Sequence, residues 1–293
     1  MAPAARYGRS MTAPHSRALN RNTVLCVSLA ARPSDIGTRF HNYLYNRLGL
    51  NFVYKAFAPT DIASAVAGIR GLPIRGAGVS MPYKEAVIDL IDVMEESAAA
   101  IDSVNTIVND DGVLHAYNTD YQAVADLLAA SRFDRTAPVA VAGSGGMAKA
   151  VVAALRATGF TDVTVVARNR AAGAVLAARY GYRHAVNAAG LAPATLVNAT
   201  PIGMAGGPDA DALPFDEALV DAATGCLDVV AMPPDTPMVR AMRARGLETI
   251  SGDAVIAGQA AAQFALYTGV TPTPEQIREA SEYSRAGDAT LTG

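Results

Sequence analysis

The sequence predicts an α/β protein, and three observations carry that reading. Short apolar runs of strand length alternate with segments of helical periodicity from residue 23 onward. One such run, Val139–Ala142, passes directly into Gly143-Ser-Gly-Gly-Met-Ala148 and then into a helical run of alanine, valine and leucine. Further strand candidates follow at Val163–Ala167, Thr195–Ala199 and Cys226–Val230, the spacing of a doubly wound parallel sheet.

Taken in order, residues 1–20 read as a loose extension without the apolar core of a secretory signal, and Met11 is an alternative start. Thr23–Leu29 reads as a buried strand, and Ala30–Thr38, with its proline, glycine and aspartate, as a loop. Arg39–Leu48 has helical periodicity and stops at Gly49; Asn51–Phe57 is aromatic and β-branched, hence a strand. Asp61–Arg70 predicts a helix, Gly76–Ser80 a strand running into Met81-Pro-Tyr-Lys84, and Glu85–Met94 another helix. Ser103–Asn109 and Val113–Tyr117 flank Asp110-Asp-Gly112, a hairpin signal. Tyr121–Ala130 then predicts a connecting helix before the glycine turn. Beyond the doubly wound strands come a helix over Thr236–Arg245, a short strand at Glu248–Ile250 and an apolar helix over Ala254–Tyr267 that must pack on both sides. One charged helix and a fraying end complete the chain.

The glycine turn carries the first chemical inference. Strand, glycine turn and helix together make a dinucleotide site of an otherwise common pattern. Gly143 permits the tight turn, Gly145 lets a pyrophosphate approach the backbone, and Ala148 keeps helix and strand close. Ser144, Gly146 and Met147 complete the turn, and the helix N-terminus presents unpaired N–H groups to phosphate. A ligand-free turn is the competing reading. An acid about 20 residues beyond the glycines would mark NAD. That position holds Arg168-Asn-Arg170 instead, and guanidinium groups suit a 2′-phosphate, so the predicted cofactor is NADP. Two solvated arginines would be the bland alternative.

Composition narrows the classes further. At 293 residues the chain fits two domains at roughly 100–200 residues each. A formal net charge of −3 lacks the basic excess of a nucleic-acid or anionic-membrane partner. Cys26 and Cys226 sit in apolar segments far apart, so buried reduced thiols and a cytoplasmic location are expected rather than a disulfide. Four scattered histidines offer no metal motif, and no run approaches the ~18 apolar residues of a membrane span.

Seven strings carry a resemblance: GVSMPYKEAV (78–87), AAIDSVNTIV (99–108), YNTD (117–120), GSGGMAKAV (143–151), NATPIGM (198–204), LDVVAMPPDTPM (227–238) and GQAAAQF (258–264). In this order, over nearly the whole chain from residue 24, they resemble the shikimate dehydrogenase family. The resemblance implies an N-terminal α/β substrate domain over 21–122, a Rossmann-like NADP-binding domain over 123–250, a cleft between them, and C-terminal helices over 251–293 returning to the first domain. It implies reversible hydride transfer between NADP and shikimate or a closely related cyclic polyol acid, with Lys84 and Asp120 as the catalytic pair. A hydroxyl that loses hydride from its carbon also needs a proton acceptor, and either member of a Lys–Asp pair can serve. Ser80, Asn105 and Gln259 match substrate-binding positions; Val229 and Gly252 match backbone positions on the nicotinamide side. Asn198 and Thr200 end a strand facing the cofactor, with no assigned role. The oligomeric state stays open, with a homodimer as one option.

Departures from the family cluster at the substrate. Alignment on His41-Asn42 puts Asp35-Ile-Gly-Thr38 where the family carries a Ser-x-Ser-Pro that binds the substrate carboxylate. An aspartate there would repel a carboxylate, so the loop is rearranged or the ligand differs. Ser28, Thr38 and Arg39 are the replacement donors considered. Gly78 stands for an asparagine, Ala231 for a tyrosine and Val255-Ile256 for a Met-Leu pair. The expected protein is a divergent member, with a quinate-type dehydrogenase or an NADP-binding sensor of little turnover as competing readings.

Overall fold

Two six-stranded sheets organise the chain in this computed structural model, which describes residues 19–286. The first half runs β1 (Val24–Leu29), α1 (Asp35–Arg47), β2 (Phe52–Phe57), α2 (Ile62–Gly71), β3 (Gly76–Val79), β4 (Val93–Met94), α3 (Glu96–Ala99), β5 (Thr106–Asp110) and β6 (Val113–Tyr117). Its strand order is β2-β1-β3-β5-β6-β4. Strand β5 alone runs antiparallel to its neighbours, because the two-residue hairpin turn reverses the chain. Asp111 and Gly112 both take positive φ there, 51° and 93°, as a primed turn requires.

The second half runs α4 (Thr119–Ala130), β7 (Val139–Ala142), α5 (Gly146–Ala157), β8 (Val163–Val166), α6 (Arg170–Arg179), β9 (Arg183–Ala185), β10 (Thr195–Asn198), α7 (Glu217–Ala222), β11 (Gly225–Asp228), α8 (Pro237–Ala244) and β12 (Glu248–Ile250). The order β9-β8-β7-β10-β11-β12 is parallel throughout. The strand order reverses between β7 and β10, the point where such sheets open a crevice at their carboxyl ends. Strands β7, β10 and β11 are buried at every residue, as expected of central strands covered on both faces.

The chain closes with α9 (Gly252–Thr268) and α10 (Pro274–Ala286). Helix α9 packs against α4 on one side and against α1, α10 and β5 on others, the two-sided burial its composition predicts. Its Tyr267 ring lies over Gly76 of β3, where a Cβ would stand 2.2 Å from the ring. On the far side, Arg179 of α6 pairs with Asp102 at 2.6 Å and the Tyr180 hydroxyl donates to the Ala100 carbonyl at 2.7 Å, joining the two halves.

Several expectations need correction. Residues 85–94 do not form a helix: the chain turns, makes one 3₁₀ turn at Ile88–Leu90, and enters β4. The Asp92 carboxylate accepts from the Leu114 N–H at 2.7 Å and from Arg70 at 2.5 Å, tying this segment to the sheet edge. The loop expected through Thr38 ends at Ser34, the N-cap of α1. Elements α3, α6, β9 and α7 carry no prediction; α6 is alanine-rich and lacks an apolar stripe to read. The extension and Met11 lie outside the described residues up to residue 18, as does the expected fraying end beyond 286. Asn20, at the predicted boundary, receives the Asn51 amide at 3.3 Å. Among the described residues, no helix is long and apolar enough to cross a membrane, and no cluster of three or more His, Cys, Asp or Glu could hold a metal.

Candidate active site

A cleft of about 400 Å³ opens where the first sheet and α9 face the glycine turn of the second. Its wall takes Ser28 from β1, Lys84 from beyond β3, Asp120 from α4, Gln259 from α9, Met147 from α5 and Val229 from beyond β11. The volume suits a small-molecule ligand.

Lys84 Nζ and Asp120 Oδ2 stand 2.6 Å apart, with side chains 29% and 16% exposed. The local sequence fixes both ends of this contact. Asn118 caps α4 through the Tyr121 N–H at 3.0 Å and donates its amide to the Ser103 carbonyl at 2.9 Å. That places Asp120 in the first helical turn, where the dipole favours a carboxylate. The Val104 N–H donates to the Lys84 carbonyl at 2.9 Å, holding the lysine backbone beside β5. The two residues are 36 positions apart in sequence yet meet in the cleft.

A buried network lies beneath the pair. Asn105 Oδ1 accepts the Thr119 N–H at 2.8 Å, the Thr119 hydroxyl at 3.1 Å and the Thr106 hydroxyl at 2.8 Å. Its carbonyl is thereby saturated, so only its Nδ2 remains to meet a ligand in the cleft. Gln259 donates to the Thr119 hydroxyl at 3.2 Å, which leaves its Oε1 for the cleft. Gln263, one turn further along α9, donates to the Asn105 backbone carbonyl at 3.1 Å and to the Thr106 hydroxyl at 2.9 Å. Gln263 is a further wall residue, not among those expected from the sequence, although its i+4 spacing from Gln259 signals the same helix face.

Tyr54 is also missed, and Gly78 explains its place. A Cβ at residue 78 would lie 2.8 Å from the Tyr54 hydroxyl, so the phenol occupies the space a side chain there would need. Tyr54 stacks on His41 with centroids 4.3 Å apart and planes 10° from parallel. His41 is fully buried, with neither ring nitrogen hydrogen-bonded, and burial pushes its pKa down to about 3. Gln263 beside the ring offsets only a small part of that desolvation.

Among the replacement donors Ser28 reaches the wall, while Thr38 and Arg39 do not; Ser80, expected separately to bind substrate, reaches it as well. Thr38 Oγ1 is buried without a partner, and Arg39 donates to the Tyr283 carbonyl of α10 at 2.8 Å. Asp35, aligned with the carboxylate-binding serines, is exposed at the start of α1 and absent from the wall.

On the second sheet, Gly143 takes φ +118°, and a Cβ there would stand 2.8 Å from the Ala199 carbonyl oxygen. Only glycine accommodates both constraints. A Cβ at Gly145 or Gly146 would meet nothing within 4 Å, so open space lies over the start of α5, whose N-cap makes no side-chain bond. Ser144 lies between Gly143 and that N-cap. Arg168 and Arg170 are exposed at the carboxyl end of β8, and neither side chain makes an ion pair or hydrogen bond among the described residues. Asn169 between them caps α6 through the Ala172 N–H at 3.1 Å. The open turn, the uncapped helix and the two cations fit a dinucleotide with a 2′-phosphate. Met147 and Val229 reach from this side into the cleft wall; Gly252 does not, and a Cβ there would stand 2.3 Å from the Val230 carbonyl. Asn198 and Thr200 are structural: Asn198 bridges Asp228 at 3.0 Å and the Ile202 carbonyl at 2.9 Å while accepting the Thr200 hydroxyl at 2.6 Å.

A parallel sheet with a glycine turn at its reversal point, facing a Lys–Asp pair across a cleft, defines a two-lobed α/β protein of the dinucleotide-binding class. Comparison with known proteins narrows this class. The family model described as the shikimate dehydrogenase substrate binding domain matches residues 36–107. A shikimate dehydrogenase-like protein of Haemophilus influenzae is 51% identical over 267 residues, 91% of this chain and 98% of that protein. The solved structure of a shikimate 5-dehydrogenase-like protein, 51% identical, superposes with a TM-score of 0.90 over 92% of this chain and 100% of its own. Thermus thermophilus shikimate 5-dehydrogenase, solved in complex with NADP(H) and shikimate, is 28% identical with a TM-score of 0.79 over 89% of this chain and 99% of its own. The chain belongs to the shikimate dehydrogenase family.

Proposed function

We propose that this chain is an NADP-dependent oxidoreductase acting on shikimate/3-dehydroshikimate or a closely related cyclic polyol acid such as quinate. The observation that carries the reading is the 2.6 Å Lys84–Asp120 contact, set in the wall of a cleft that Met147 and Val229 also line. Gly143 to Met147 and the α5 N-terminus would hold the pyrophosphate, Arg168 and Arg170 the 2′-phosphate, and Val229 the nicotinamide side. NADP supplies the hydride acceptor in one direction and, reduced, the donor in the other.

Lys84 and Asp120 handle the proton that accompanies that hydride. In the oxidising direction the substrate hydroxyl proton passes to the pair as its carbon becomes a carbonyl; in reverse the pair returns it. At a separation of 2.6 Å the proton is assigned to the pair rather than to either member. Asn105 Nδ2, Gln259 Oε1 and Ser80 orient ring hydroxyls, and Asn105 is held by the bonds that saturate its carbonyl. The intact pair favours an enzyme over a sensor, which has no need of a proton acceptor.

The test is NADP reduction by purified protein with shikimate and with quinate, beside Lys84→Ala. Turnover in the wild type, and its loss in a variant that keeps the wild-type melting temperature, is the expected result. Near-full activity in Lys84→Ala would remove the lysine from the mechanism. Tight NADP binding with no turnover of either acid would favour the sensor.

A further inference from the structure

The cleft wall carries three side chains of the charged types, Lys84, Asp120 and Arg32. Lys84 and Asp120 neutralise each other at 2.6 Å. Arg32, on the loop between β1 and α1, has no ion pair and no hydrogen bond among the described residues. His41, the remaining basic group of the wall, is uncharged near neutral pH because burial holds its pKa at about 3. The wall therefore keeps one uncompensated positive charge, on the side chain best shaped to grip a carboxylate with two parallel hydrogen bonds. Ser34, two residues on, also lies in the wall, and its hydroxyl caps no amide of α1. The aspartate expected to repel an acid, Asp35, is turned out of the wall. Loop and helix thus present a cation to the cleft and keep the nearby anion away from it.

We propose that Arg32 receives the carboxylate of the substrate and selects for monoanionic acids over neutral polyols. This rests on the dehydrogenase reading for the identity of the acid, and takes the place of the hydroxyl clamp that the family resemblance implies. Arg32 is a specificity residue: it leaves the hydride and proton steps to the groups described above.

The experiment pairs kinetics with binding. Shikimate and its uncharged methyl ester are compared on wild type, Arg32→Met and Arg32→Lys, by steady-state assay with NADP and by titration calorimetry without it. A charge-assisted contact predicts a loss of roughly 10- to 100-fold in shikimate affinity and a matching rise in KM for Arg32→Met. The kcat should change by less than about threefold and the ester should be unaffected, since a contact made equally in ground and transition states moves KM. Arg32→Lys should recover part of the loss. Equal shikimate affinity in wild type and Arg32→Met, or equal losses for acid and ester, would overturn the proposal, as would a wild type that binds no acid. Wild-type binding that depends on Arg32 without any turnover would uphold Arg32 and sink the dehydrogenase reading instead.

Discussion

Replacing His41 by leucine isolates a pH-dependent term in stability that the aromatic cage creates. The ring sits between Tyr54 at 4.3 Å and Phe264 at 6.2 Å, fully buried and without hydrogen bonds. Burial holds its pKa at about 3, against 6.5 for the unfolded chain. The folded pKa is depressed, so the unfolded state takes up a proton first as pH falls, and stability drains between pH 6.5 and 3. At about 1.36 kcal/mol per pH unit, the step from pH 7.5 to 4.5 removes about 2.7 kcal/mol through this residue. Urea unfolding at pH 7.5, 5.5 and 4.5 measures it, with the variant subtracted from the wild type. The subtraction cancels carboxylates and the other three of the four histidines, which both proteins share. The wild-type advantage should shrink by about 1.4 kcal/mol at pH 5.5 and about 2.7 kcal/mol at pH 4.5. Parallel curves, constant to within roughly 0.5 kcal/mol, would mean that His41 is charged or solvated in the folded protein and that the cage argument is wrong.

Other perturbations test other links. Arg168→Ala with Arg170→Ala should weaken NADP binding by roughly 10- to 100-fold and leave NAD binding alone, and an unchanged NADP/NAD preference would refute the 2′-phosphate assignment. Gly252→Ala drives a Cβ to 2.3 Å from the Val230 backbone, and a loss of about 2 kcal/mol or more is expected by urea unfolding. Cys26 and Cys226 are buried with pKa values pushed up to about 12, so neither should react with a thiol reagent at pH 8 until the protein unfolds. Rapid labelling of the native protein at either site would contradict that burial.

The doubly wound half was legible because its signals are local. β7 matches its predicted bounds residue for residue, since an all-buried strand must be apolar throughout and the glycine turn ends it sharply. The segment after Lys84 misled for a different reason: Ile88 and Ile91 repeat at helical spacing, but Asp92 ties the chain to Arg70 and Leu114, and no local pattern records that long-range claim. The start of α1 was readable in principle, because Ser34 and Asp35 are a usual N-cap and first-turn acid. In the site, Lys84 and Asp120 announce themselves by motif. Arg32, Tyr54 and Gln263 do not, since their part in the cleft exists only once β2, the first loop and α9 converge.

The fit between Gly78 and Tyr54 also constrains how this cleft can change over generations. With the phenol oxygen 2.8 Å from the missing Cβ, an asparagine introduced at residue 78 collides with a buried ring that is itself stacked on His41. Truncating Tyr54 first opens a hole in the cleft wall, so either single exchange passes through a damaged intermediate. The two positions are expected to travel as a linked genotype, and engineering the asparagine of other family members into this scaffold calls for both substitutions at once.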